Sequence, residues 1–105
     1  MDLRQLGTAL AAFAVLSPTH LPIHFVQIFL VVGEKGQITF QELMEELNLT
    51  NSAISRSVMA MGEVHRKGTP GFDLLETFKD PAEGRRFLVR LSPKGKALYR
   101  SIESI

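Results

Sequence analysis

The chain has 105 residues, the size of one domain, and its 45% apolar and 22% charged content is that of a folded protein rather than a disordered one. With no cysteine it can form no disulfide, thiolate nucleophile, iron–sulfur cluster or cysteine-based zinc site. The net charge of +1 averages unlike halves: residues 1–49 hold two cations against five acids, a net of −3, whereas residues 50–96 hold nine against five, a net of +4.

The apolar run Leu6 to Leu16 follows Arg4 and could pass for the core of a secretory signal. Asp2 weakens its basic flank, however, and Leu3, Leu6, Leu10, Phe13 and Leu16 recur at helical spacing, so a packed helix over 2–16 is expected. It should stop at Ser17-Pro18, because proline disfavours helical geometry in the residue before it. The next apolar run, Leu21 to Val32, is separated from the first, and neither reaches the roughly 20 residues a bilayer span needs. No membrane span is expected. A second helix should start with Pro22 near its first position and end at Gly33. Its apolar residues Ile23, Val26, Phe29, Leu30 and Val32 cover more than one face, which marks it as central and buried.

A third helix opens with Thr39-Phe40-Gln41-Glu42, a capping-box pattern, and presents Leu43, Met44 and Leu47 inward. Asn48-Leu49-Thr50 leaves room only for a tight connection, with Thr50 as N-cap of a fourth helix over about 51–67. There Ile54, Val58 and Met61 form a buried stripe, while Ser52, Ser55, Arg56, Met59 and Glu63 point the other way. His65-Arg66-Lys67 suits a helix C-terminus, Gly68 can take a left-handed cap, and Thr69-Pro70-Gly71 is a turn. Phe72 to Lys79 and Arg85 to Leu91 flank Asp80-Pro81-Ala82-Glu83-Gly84 and read as a two-stranded hairpin over 72–91. A last helix starts after Ser92 with Pro93 in its first turn and carries Ala97, Leu98, Ile102 and Ile105 inward.

Helices α1-α2-α3-α4, two strands and a fifth helix define a mainly α, single-domain winged helix-turn-helix with a two-stranded β-wing. In such a fold the recognition helix enters the major groove of double-stranded DNA and the wing reaches the backbone or minor groove. The basic second half of the chain agrees with a polyanionic partner. Arg56 is the candidate base contact, since a guanidinium can donate two parallel hydrogen bonds to guanine. Asn51, Ser52 and Ser55 lie in the first turns of the same helix, where side chains and free N–H groups can meet phosphates or base edges. Lys79 and Arg86 on the hairpin are candidate phosphate contacts.

The run Glu83-Gly84-Arg85-Arg86-Phe87-Leu88-Val89-Arg90-Leu91-Ser92-Pro93-Lys94-Gly95 resembles the wing of the MarR family of transcriptional regulators. That wing reads Asp-x-Arg, a strand, then Leu-Thr, two residues and Gly; here Glu83 stands for the Asp and Ser92 for the Thr. Thr39-Phe40-Gln41-Glu42-Leu43 and Ala53-Ile54-Ser55-Arg56-Ser57-Val58 are also similar to the family's third-helix start and recognition helix, so the resemblance covers about residues 21–102. It implies that Arg85 is the wing-tip arginine that enters the minor groove, with Glu83 orienting it, and that the protein is a dimeric, cytoplasmic repressor. Two departures follow. The link between Met61 and Phe72 is longer than the family's, and the chain ends about ten residues beyond Gly95, short of the long helices that intertwine family dimers. A homodimer is expected to be built differently, and the alanine-rich first helix could pack either against a second copy or against its own core.

His20 and His24 stand four apart, but Pro22 lies between them and no acid is adjacent, so no metal is expected. No nucleophile–base signature or glycine-rich phosphate loop is present, and neither an enzyme nor a cofactor is expected. The competing reading keeps the fold and changes the partner: a protein–protein module, for instance an accessory or viral factor docking on the transcription or replication machinery. The weak total charge and acidic first half favour it.

Overall fold

A computed structural model describes residues 1–16, 20–62 and 71–105. Its elements are α1 (Leu3–Ala14), α2 (Ile23–Lys35), β1 (Gln37–Thr39), α3 (Phe40–Leu47), α4 (Asn51–Ala60), β2 (Leu75–Lys79), β3 (Phe87–Leu91) and α5 (Pro93–Glu103). The expected break at Ser17-Pro18, the helix extension through His65-Arg66-Lys67, its Gly68 cap and the start of the turn at Thr69-Pro70 lie outside the described residues.

Cap chemistry sets the helix starts. Thr39 Oγ1 accepts from the Glu42 N–H while the Glu42 carboxylate accepts from the Thr39 N–H, both at 3.1 Å, the reciprocal box that begins α3. The Thr39 N–H, with the Thr39 hydroxyl beside it, holds the Glu42 carboxyl below its ordinary range. Thr50 caps α4 by accepting from the Ala53 N–H at 3.1 Å, and Ser92 caps α5 by accepting from the Gly95 N–H at 2.9 Å. A second reciprocal box, Asp2 with Gln5, begins α1.

The hairpin is part of a three-stranded antiparallel sheet, ordered β1-β3-β2. The short β1 lies just before α3 and pairs Gln37, Ile38 and Thr39 with Arg90, Val89 and Leu88. On the other side of β3, Leu75 pairs with Leu91 and Lys79 with Phe87. Both hairpin strands are shorter than expected. Residues 72–74 pair not with β3 but with the end of α4: the N–H groups of Phe72, Asp73 and Leu74 donate to the carbonyls of Ala60, Gly62 and Met61. They thus satisfy carbonyl groups that a helix end leaves free.

The core is centred on α2, where Val26, Ile28, Phe29 and Val32 are buried with Leu43 of α3, Ile54 and Val58 of α4, Met61, Leu74, and Leu75 and Val89 of the sheet. The fourth-helix stripe is therefore buried as its spacing implies. Phe29 makes an edge-to-face contact with Phe13 and a tilted one with Tyr99.

Other expectations are corrected. The second helix passes through Gly33 and ends at Gly36, whose φ of 84° suits glycine. Gly33 instead makes room for Tyr99, whose ring a Cβ there would overlap. Ile23 and Leu30 are exposed rather than buried, since among the described residues no element covers that side of α2. The fourth helix ends at Ala60, before the long link, since residues 60–62 turn to receive the bonds from residues 72–74. In α5 Ala97 is exposed and Tyr99 takes the inward position, with Leu98 half-buried and Ile102 buried. The first helix packs through Ala9 and Phe13, so Leu3, Leu6 and Leu10 face outward at 85%, 43% and 40% exposure.

Candidate nucleic-acid interface

Burying Ile54 and Val58 turns the opposite side of α4 to solvent, and Asn51, Ser52 and Arg56 are exposed there with Ser55 half-buried. With Met59 they line one open hollow of about 570 Å³. Arg56 lies along its own helix, its Nε donating to the Ser52 carbonyl at 3.3 Å. It forms no ion pair among the described residues, and Glu63, the acid nearest in sequence, lies outside them. The guanidinium is thus tethered by one weak bond that an incoming acceptor can replace.

Ser55 and Met59 also line a second open groove, of about 680 Å³, whose far wall is the wing: Leu75, Glu76 and Thr77 of β2 with Phe87 and Arg90 of β3. The polar face of α4 therefore runs continuously into the space between helix and wing. Their relative placement is fixed by the backbone bonds from residues 72–75 to the end of α4, and is braced from below by Ser92. The Ser92 N–H donates to the Leu74 carbonyl at 3.0 Å, and its hydroxyl donates to the Asp73 carbonyl at 2.6 Å. Gly95 lies so close that a Cβ there would overlap the Leu74 carbonyl oxygen.

The wing tip closes around Asp80, which is 7% exposed. Its carboxylate accepts from the Ala82 N–H at 2.9 Å and from the Arg86 guanidinium, with Nε at 3.0 Å. The Arg86 N–H donates back to the Glu83 carbonyl at 2.9 Å. The Arg86 guanidinium and the Ala82 N–H hold the Asp80 carboxyl below its ordinary range, and the same bond raises the Arg86 pKa. Glu83, expected to orient Arg85, approaches Arg86 instead at 3.7 Å. Arg86 is thus bound within the wing with half its side chain exposed, whereas Arg85 and Lys79 are exposed and outside every ion pair among the described residues. Arg90 is also engaged, with Glu76 at 3.0 Å and over the Phe78 ring at 4.3 Å.

Two participants were missed by sequence reasoning. Asp80 had a legible signal, since an Asp-Pro step whose carboxylate accepts an N–H two residues on is a common turn start. Met59 was placed on the outward face, but nothing local told that it would border both hollows. Among the described residues no group of three or more His, Asp or Glu is placed to hold a metal, and no helix is long and apolar enough to cross a membrane.

No protein-family model matches the chain, and no curated protein sequence does. Solved structures do. YusO from Bacillus subtilis superposes with a TM-score of 0.70 at 10% identity, over 96% of this chain and 64% of that one. RV1404 from Mycobacterium tuberculosis gives 0.74 at 18%, over 95% and 62%. A mutant MarR from E. coli complexed with operator DNA gives 0.65 at 20%, over 99% and 78%. The chain thus spans less than two thirds of the length of the first two. Among the described residues, five helices and a three-stranded antiparallel sheet, with α3-α4 as the helix-turn-helix and β2-β3 as the wing, make this a winged helix. Its fold is MarR-like.

Proposed function

We propose that the chain is a sequence-specific, double-stranded DNA-binding transcriptional regulator of MarR type, acting as a cytoplasmic repressor rather than an enzyme. The observation that carries this reading is the face of α4 that the described residues leave open, with Asn51, Ser52, Ser55 and Arg56, running into the groove bounded by the wing. A helix so presented fits the major groove. Arg56 exchanges its bond to the Ser52 carbonyl for a bidentate contact with guanine, while Asn51, Ser52 and Ser55 meet phosphates and base edges. Arg85, outside every ion pair of the described residues, enters the minor groove. Lys79 holds a phosphate, and Arg86 does so with its exposed half while keeping the wing closed through Asp80. The likeness to a MarR structure solved with operator DNA supports a duplex as the partner. The exposed leucines of α1 support a homodimer built on that helix.

An electrophoretic mobility shift with random duplex at about 50 mM salt tests the reading. Retardation that weakens steeply with salt is expected. No retardation, together with salt-insensitive capture of a protein of the transcription machinery, would establish the interaction-module reading instead.

A further inference from the structure

On the footing of the duplex-DNA reading above, we propose that Met59 is a specificity-determining residue that reads the 5-methyl group of a thymine in the major groove. Met59 lies three residues after Arg56, four after Ser55 and seven after Ser52, so it continues the same helical stripe. It is 40% exposed, while Ile54, Val58 and Met61 fill the core from the other side of the helix end. The core does not use its thioether. It lines both the hollow beside Arg56 and the groove under the wing, and in that groove it shares the lining with the apolar side chains Phe40 and Val58 and, on the far wall, Leu75 and Phe87. Arg90 on the far wall is occupied by Glu76 and Phe78. An apolar spot therefore sits on a face that carries Arg56, beside a wing that carries Lys79 and Arg85 among its exposed cations.

The matching partner is a polyanion that offers a small apolar group at that depth. On the major-groove edges of the four bases the only such group is the thymine methyl, and side chains contact it by apolar packing. Methionine suits the task, being unbranched and polarizable and able to adjust to the methyl's position.

The test begins with a duplex selected from a random pool by the wild-type protein, in which each thymine is replaced in turn by deoxyuridine, removing only the methyl group. One position should weaken binding about fourfold, the loss expected for one buried methyl. In Met59→Gln, which keeps chain length and helix propensity at an exposed site, thymine and deoxyuridine duplexes should bind alike there, with circular dichroism unchanged. Wild-type binding indifferent to every such replacement would overturn the proposal. So would a methyl dependence that persists in Met59→Gln, or a Met59→Gln loss equal on all duplexes, the mark of a backbone contact. Absence of all duplex binding would overturn the DNA reading and this inference with it, whereas binding without methyl dependence overturns this inference alone.

Discussion

Asp80 stands where β2 leaves the sheet, and the wing tip closes on its carboxylate through Arg86 and the Ala82 N–H. Because the folded protein holds that carboxyl below its ordinary value near 4, its contribution is complete above that value. It is lost as the pH falls through the lower folded value. Glu42 in the α3 capping box acts with the same sign. Asp80→Asn should therefore lower the urea midpoint at pH 7, and the gap from wild type should shrink as acid is added; a gap independent of pH would mean that the charge on Asp80 is immaterial. Ser92 and Gly95 act by hydrogen bonding and by shape. Ser92→Ala removes the α5 cap and strands the Asp73 carbonyl, at a cost of about 1–2 kcal/mol. Gly95→Ala drives a methyl into the Leu74 carbonyl, at a cost of about 1–3 kcal/mol. Equilibrium denaturation reads both.

At the scale of elements, α4 and the wing act as one surface because residues 72–75 are bonded to the end of α4. The proposed roles divide between them. Arg85→Ala should weaken binding to all duplexes and flatten the salt dependence by about one unit of slope, leaving sequence preference intact, as a titration across salt concentrations would measure. These elements were unequally legible. The starts of α3, α4 and α5 were readable because Thr39, Thr50 and Ser92 cap within three residues of their partners, a purely local chemistry. β1 was not, because three residues show no alternation and Gln37, Ile38 and Thr39 become a strand only by pairing some fifty residues ahead, with Arg90, Val89 and Leu88. The continuation of α2 past Gly33 was hidden for a related reason, since what favours glycine there is the distant Tyr99 ring. In the candidate site, helical period alone put Ser52, Ser55 and Arg56 on one open face. It could not assign Arg86 to Asp80 or leave Arg85 apart, because those pairings depend on how the wing loop closes.

At the scale of the whole molecule, the acidic first half supplies the scaffold and the basic second half supplies helix and wing. The molecule measures 42 × 29 × 26 Å, so its longest dimension is close to the length of one turn of duplex DNA, about 34–36 Å. Leu3, Leu6 and Leu10 form the outward stripe of α1 that the homodimer would bury. Leu6→Glu with Leu10→Glu should yield a monomer by light scattering without loss of helicity, since neither side chain belongs to the core. Binding to paired half-sites about 10 base pairs apart should fall to single-site affinity. An unchanged molar mass would remove α1 from the proposed interface.

Whether α4 reads sequence is decided by Arg56→Ala. Affinities of wild type and variant would be compared on the selected duplex and on versions with each guanine replaced. Wild type should discriminate against one replacement by about 1–3 kcal/mol, and the variant should lose that discrimination while still binding DNA. Equal weakening on every duplex, with the preference intact, would contradict it.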